Sequence, residues 1–227
     1  MSYNPDPSPM NPLPPAVWLL FIAVALPELI FSAGEAGFIG GPAAVGWRLN
    51  SLNAFAFSGD AFDFMVKNGR LLPEHLVRFV TYPFVFTSFT SALFAGVLLL
   101  AMGKMVGDIL GGWAVILMFM LSGIFGAAVF GLLTNQPWLF GAYPSVYGLI
   151  GTYTFLYWQK QVMSGGPQGQ AFMLIGVLMG VQLVFAALFQ VGYSWVAELA
   201  GFVAGFALTA VVVPGGVTRV LAVLRRR

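Results

Sequence analysis

The chain has 227 residues, of which 59% are hydrophobic and only 8% are charged, and its formal net charge is +2. A soluble globular domain carries roughly 25% charged residues, so this chain cannot cover a water-exposed surface and we expect lipid to be its main solvent. The chain contains no cysteine and a single histidine, His75, which excludes disulfides, thiol catalysis and multi-histidine metal or haem sites built from this chain alone. No cofactor or metal is expected.

The first fifteen residues form a proline-rich segment without lysine or arginine. A cleavable signal peptide begins with a basic stretch and continues into a short apolar segment, and this segment has neither. Because proline disrupts a helix interior, we predict that residues 1–15 form a flexible N-terminal arm.

Apolar segments of membrane-spanning length follow the arm. A transmembrane helix needs about 20 mostly apolar residues. We predict about six such helices in one all-α, polytopic membrane domain over residues 16–213, at about 16–32, 82–103, 113–133, 144–160, 171–190 and 194–213.

Residues 34–80, between the first two predicted helices, mix charged and aromatic side chains, which favours short helices lying in the membrane interface. Four basic residues balance four acidic ones in this segment: Arg48, Lys67, Arg70 and Arg78 against Glu35, Asp60, Asp63 and Glu74. Lys104 and Lys160 lie at the short loops after the second and fourth predicted helices, and the C-terminal segment contains Arg219 and the three terminal arginines. The positive-inside tendency therefore places both termini in the cytoplasm and residues 34–80 outside.

Residues 214–227 are predicted to be a basic tail ending in Arg225, Arg226 and Arg227. An arginine cluster directly after an apolar span is typical of a membrane surface, so we do not expect nucleic acid as a partner. We expect the lipid bilayer and other transmembrane proteins as partners, and the sequence leaves the oligomeric state open. A compact polytopic chain without a signal peptide favours the inner membrane of a bacterium.

Small residues recur at four-residue spacing within the later spans. In a bilayer, helices associate through close backbone packing, which small residues permit. We predict this role for Gly141, Gly148, Gly151, Gly201 and Gly205.

Three stretches occur in a characteristic order. They are RFVTYPFVFTSFTSALFAG at 78–96, GAYPSVYGLIG at 141–151 and AELAG at 197–201. In these features, over about residues 16–213, the chain resembles the rhomboid family of intramembrane serine proteases. The resemblance implies a six-helix bundle, a long first loop in the outer leaflet, and a Ser–His dyad below the outer surface.

The resemblance also assigns chemical roles to positions at which this chain has other residues. The family's serine nucleophile falls on Tyr143 and its general-base histidine falls on Glu198. The positions linked to its oxyanion hole fall on Phe86, Ser91 and Ala95. An acyl-transfer nucleophile needs a base within reach and donors aimed at the oxyanion, and all three groups are replaced here.

Two other residues are candidates for the missing groups. Ser145 lies two positions after the family's nucleophile and on another helix face, and it is the fallback nucleophile. His75 precedes the second predicted span, and we interpret it as a surface histidine.

Two acidic residues, Glu28 and Glu198, fall within predicted spans. A charge at the centre of a membrane helix costs at least about 2.5–3.5 kcal/mol on insertion scales, so such residues face the bundle interior, water or a partner. The sequence leaves three roles open for Glu198. It is a structural residue that faces Tyr143 or Ser145, a contact for a partner helix, or part of a proton path. The same options apply to Glu28, with more weight on partner contact. We hypothesise that the Tyr143 hydroxyl donates to Glu198 beside a vestigial cavity that Ser145 and Tyr147 also border.

These observations predict a non-catalytic, rhomboid-like pseudoprotease that binds transmembrane partners or clients in assembly, chaperoning or quality control. The alternative is an active intramembrane serine protease that uses Ser145 or a non-standard catalytic set. A third option is a small transporter or channel built on Glu28 and Glu198, which the lack of a clear inverted repeat disfavours.

Overall fold

The computed structural model describes residues 12–189 and 192–218. The first long helix, α1, covers Pro15–Glu35, and Pro15 suits its first turn, where a backbone N–H has no intrahelical acceptor. Of the predicted arm, residues 1–11 lie outside the described residues, and Leu13 packs against the hydrophobic core. Of the predicted tail, residues 219–227 lie outside the described residues, including the terminal arginines.

Short helices occupy the long connection after α1. In chain order they are the 3-10 segment Gly41–Gly46, α2 (Trp47–Phe55), α3 (Gly59–Asn68), α4 (Pro73–Leu76), α5 (Arg78–Thr81) and the 3-10 segment Tyr82–Phe84. Between α2 and α3, strand β1 (Phe57–Ser58) pairs antiparallel with β2 (Trp138–Leu139), and Phe57 lies opposite Leu139. The sequence analysis did not predict this strand pair, which attaches the long connection to a segment that lies much later in the chain.

Five further long helices follow within the described residues. They are α6 (Phe89–Leu110), α7 (Gly112–Leu133), α8 (Tyr143–Ser164), α9 (Met173–Phe189) and α10 (Ser194–Val212). In the described part of the chain, α1, α6, α7 and α10 are long and apolar enough to cross a membrane. The remaining two have 22 residues (α8) and 17 residues (α9), within the range of about 17–25 for membrane helices. The predicted all-α membrane bundle is confirmed.

The predicted start of the second membrane helix is wrong by seven residues. The sequence analysis placed this helix at 82–103, whereas α6 covers Phe89–Leu110. Pro83 lies in the short 3-10 segment, and the chain is extended at Val85. The helix begins only after Ser88, whose side chain accepts a hydrogen bond from the Ser91 N–H at 3.3 Å, as is typical of an N-cap.

Six consecutive antiparallel helices fix which ends lie together. The first turns of α6, α8 and α10 lie on the same side as the last turns of α1 and α7, beside the long connection. We call this the loop side. The most buried helix is α8, because α6, α7 and α10 surround it. Its buried polar residues therefore face protein rather than lipid: Ser145, Thr152, Thr154 and Gln159.

Candidate functional site

A cavity of about 310 Å³ lies on the loop side, between the first turns of α6, α8 and α10. We call it the loop-side cavity. Its lining consists of Ser91, Leu139, Phe140, Tyr143, Pro144, Ser194 and Glu198. The structure therefore brings together Tyr143, Glu198 and Ser91, which the sequence analysis matched to the family's nucleophile, base and oxyanion positions.

Tyr143 is the first residue of α8, and its ring turns towards α6. Its hydroxyl donates a hydrogen bond to the backbone carbonyl of Ser91 at 3.1 Å. Because a phenol has a single proton to donate, the predicted donation from Tyr143 to Glu198 is wrong. The bond joins residues 52 positions apart, which is why local sequence could not reveal it.

Glu198 is buried, with 3% of its surface exposed, on the first turns of α10. The hydroxyl that hydrogen-bonds its carboxyl group is that of Tyr147, one helical turn beyond Tyr143 on α8. Tyr147 is itself almost fully buried. The two tyrosines thus have different roles, since one ties α8 to α6 and the other supports the carboxyl group.

Ser145 does not face the loop-side cavity. Its side chain is fully buried and packs against Gly123 of α7 and the hydroxyl of Tyr82. The Tyr82 hydroxyl donates to the Gly123 carbonyl at 2.8 Å, and within the described residues the Ser145 Oγ has no hydrogen-bond partner. The assignment of Ser145 to the cavity is therefore corrected, because Ser145 lies on the face of α8 that packs against α7.

The other two positions linked to the family's oxyanion hole are buried and apolar. The Phe86 ring packs against Gly141, and Ala95 is fully enclosed within the bundle. Gly141 has a φ of +87°, and its N–H donates to the Tyr82 carbonyl at 3.0 Å, which fixes the turn into α8. Neither Phe86 nor Ala95 has a side-chain donor to offer to the cavity.

The second intramembrane acid, Glu28, is held by an arginine of the long connection. The Arg48 guanidinium donates from Nη1 to Glu28 Oε2 and from Nη2 to Glu28 Oε1, both at 2.7 Å. Arg48 Nε also donates to Glu35 at 2.7 Å, and Nη1 donates to the Phe86 carbonyl at 3.2 Å. The hydrogen bonds with Glu28 raise the pKa of Arg48 further above its usual range.

The emphasis on an external partner for Glu28 is therefore corrected, because its carboxylate is neutralised within the chain. Arg48 is a residue that the sequence analysis missed by grouping it with interfacial charges. The sequence feature that could have identified Arg48 is Glu28. An acid in a membrane helix requires a cation, and Arg48 is the first basic residue after it in the chain.

Four of the five predicted packing glycines lie where α8 crosses its neighbours, whereas Gly141 lies in the turn before α8. A Cβ added at Gly201 would overlap the Pro144 carbonyl oxygen, and one at Gly205 would overlap the Gly148 carbonyl oxygen. A Cβ at Gly148 would meet Ser122, and one at Gly151 would meet the Phe202 backbone. These contacts bring α10 and α7 onto α8 at backbone distance and so set the spacing between Tyr143 and Glu198.

The polar groups at the loop-side cavity are a phenol, a carboxyl group and serine hydroxyls. A phenol with a usual pKa of about 10 is a weak nucleophile at neutral pH, and the Tyr143 hydroxyl proton is engaged by Ser91. The histidine of the chain, His75, lies in α4 of the long connection and is not among the cavity-lining residues. The carboxyl group, hydroxyls and aromatic rings that line the loop-side cavity can contact a group that enters it.

Comparison with protein families finds that residues 73–215 match the Rhomboid domain, from α4 to just beyond α10. No match was found among curated proteins. The family match covers more than half of the chain and includes every residue that lines the loop-side cavity. The chain belongs to the rhomboid family.

Proposed function

We propose that this rhomboid-family membrane protein binds transmembrane segments of other proteins without cleaving them. The observation that carries the proposal is the identity of the residues that line the loop-side cavity. Tyr143 and Glu198 lie there, at the positions matched to the family's nucleophile and base. The match of residues 73–215 to the Rhomboid domain supports a family scaffold around this cavity. The groups that would attack and protonate a peptide bond are replaced.

The position of Ser145 supports the same proposal. A serine nucleophile requires a base within hydrogen-bond reach and an oxyanion site about 3 Å away. The Ser145 side chain packs into the contact between α7 and α8, away from the cavity. The activity assigned to this chain is therefore recognition, for assembly, chaperoning or quality control of membrane proteins.

The proposal includes the inner membrane of a bacterium as location, with both termini in the cytoplasm. Six membrane passes return the C-terminal end to the side on which the chain began. The long connection, with its near balance of charges, would then lie on the outer face.

The experiment that tests recognition is photo-crosslinking in intact membranes. A photoreactive amino acid in place of Phe140, which lines the cavity, should capture membrane proteins through their transmembrane segments. The same group in place of Trp113 is the control. Trp113 is highly exposed at the opposite end of the bundle, where capture should be at background level. Equal capture from both positions would contradict the proposal.

The experiment that tests loss of catalysis uses the purified protein in lipid vesicles with single-span model substrates. We expect no cleavage products by mass spectrometry and no fluorophosphonate labelling above that of the Ser145→Ala variant. Cleavage by the wild type that Ser145→Ala abolishes would instead establish an active intramembrane hydrolase.

A further inference from the structure

We propose that the loop-side cavity binds a basic side chain, lysine or arginine, carried by the transmembrane segment of a partner protein. This inference rests on the proposed function and specifies its partner. The observation that carries it is that Glu198, whose carboxyl group is almost buried, lines one cavity together with Ser91 and Ser194. This cavity lies on the loop side of the bundle.

The two intramembrane acids of this chain have different surroundings. The carboxylate of Glu28 receives two guanidinium hydrogen bonds at 2.7 Å and a third hydrogen bond, from Ser32, at 3.0 Å. Glu28 thus shows how this protein stabilises an acid inside the bundle, namely with a cation that carries several donors. Glu198 has the Tyr147 hydroxyl beside it and also lines a cavity that is open to an incoming group, so a cation from outside can add the kind of interaction that Arg48 makes with Glu28.

The size of the cavity limits what can enter it. At about 310 Å³ it is at the lower end of small-molecule pockets, which begin near about 300 Å³. It therefore has room for one extended side chain and not for a helix. The rest of a partner helix would stay in the bilayer beside the bundle.

The polar groups in the lining match the donors of a lysine or arginine. An ammonium group has three donors and no acceptor, and the carboxyl group of Glu198 and the hydroxyls of Ser91 and Ser194 supply acceptors. The Phe140 and Tyr143 rings flank the cavity and suit the apolar stem of a long basic side chain.

The depth of the cavity places the matching residue on the partner. Glu198 and Ser91 lie within the first turns of α10 and α6, and Ser194 is exposed at the cavity edge. Lysine and arginine near a helix end extend towards the membrane surface. The partner's basic residue is therefore expected within about two turns of the loop-side end of its membrane helix.

A guest-residue series tests the inference. The probes are leucine–alanine helices of about 20 residues that differ at one position near the loop-side end, where they carry lysine, leucine, glutamine or glutamate. Binding is measured by energy transfer in phosphatidylcholine vesicles. The fluorophore on the full chain is attached to a single cysteine at Ser164, at the other end of α8, since the chain has no cysteine of its own.

The lysine helix should bind the wild type about tenfold more tightly than the leucine helix, which is the scale of polar contacts between membrane helices. Glu198→Gln should abolish this preference, so that the lysine and leucine helices bind the variant equally. Asp108→Asn, which removes an acid at the opposite end of α6, is the matched control and should retain the preference. If Glu198→Gln fails to fold, the wild type still tests the inference, because it should bind the glutamate helix more weakly than the leucine helix.

The possible failures are distinguishable. Equal binding of lysine and leucine helices would overturn the cation inference and leave transmembrane recognition standing, whereas no binding of any helix would count against the proposed function itself. A repeat in vesicles containing phosphatidylethanolamine tests whether a lipid amine is the natural occupant. Loss of the lysine preference there, in the wild type, would overturn the assignment to a protein partner.

Discussion

Arg48 binds two carboxylates of α1 and a backbone carbonyl that precedes α6, so one side chain holds three segments together. Only 9% of its surface is exposed, and Glu28 is 3% exposed. The pair therefore differs from the Lys67–Asp63 pair of α3, in which the lysine side chain is 72% exposed. Removal of one partner of a buried ion pair leaves the other charge without compensation, which an exposed pair avoids through water.

Arg48→Ala should lower the free energy of unfolding by about 3–5 kcal/mol, while Lys67→Ala should change it by less than about 1 kcal/mol. Both are measured by denaturant titration of the purified protein in mild detergent. Adding Glu28→Gln to Arg48→Ala should recover part of the loss, since a neutral amide is less costly to bury than a carboxylate. If the two alanine variants unfold alike, the Arg48 cluster does not stabilise the fold.

The contact between α8 and α10 depends on glycines, because a larger side chain at these positions would separate the two helices. Gly201 and Gly205 bring α10 against the carbonyl groups of Pro144 and Gly148. At the same crossing, threonine hydroxyls donate to carbonyls one turn earlier in their own helices, Thr152 to Gly148 at 3.1 Å and Thr209 to Gly205 at 2.6 Å. Close packing of this kind stabilises helix pairs in lipid, where apolar side chains gain little by leaving the bilayer.

Gly201→Leu and Gly148→Leu should each destabilise the protein by at least about 3 kcal/mol, because the added side chain meets neighbouring helix atoms that cannot move aside cheaply. The matched control is Gly176→Leu in α9, where a Cβ meets no atom within 4 Å. The measurement is thermal unfolding in detergent together with the yield of folded monomer. Normal stability of Gly201→Leu would show that α8 and α10 are not held at backbone distance.

At the scale of the whole molecule, the described residues form a bundle of six long helices with one elaborated side. The loop side contains the long connection, the β1–β2 pair, the Arg48 cluster and the loop-side cavity. The opposite side has short connections, with Gly111 at a φ of +86° turning α6 directly into α7. This asymmetry puts the loop-side cavity, the proposed recognition site, at one end of the bundle.

Single cysteines test the orientation of the bundle, since the chain has no cysteine of its own. Asn68→Cys, at the end of α3, should react with a membrane-impermeant maleimide on intact cells. Ser164→Cys, at the end of α8, should react at least about tenfold less until the membrane is opened, because a maleimide outside the cell has no access to the cytoplasmic face. The reverse pattern would invert the proposed topology, and equal labelling would contradict the proposed number of passes.

The sequence by itself determined the class of protein, the start of several helices and the identity of the residues at the family's functional positions. The starts of α7, α8 and α10 lie within one residue of prediction, because glycine and proline turn signals flank these apolar stretches. The start of α6 was wrong because its apolar pattern continues backwards across Pro83 into residues that are not helical. Local patterns encode local structure, and they do so less well where aromatic residues lie on both sides of a helix boundary.

Only the tertiary structure decided which polar groups meet. Arg48 reaches Glu28 across 20 residues, and Tyr143 reaches Ser91 across 52. Ser145 and Tyr143 are two positions apart in sequence, yet one faces α7 and the other lines the cavity, because successive side chains on a helix point in different directions. Contacts of this kind depend on how the helices pack against one another, and that packing is fixed by glycines whose partners lie far away in the chain.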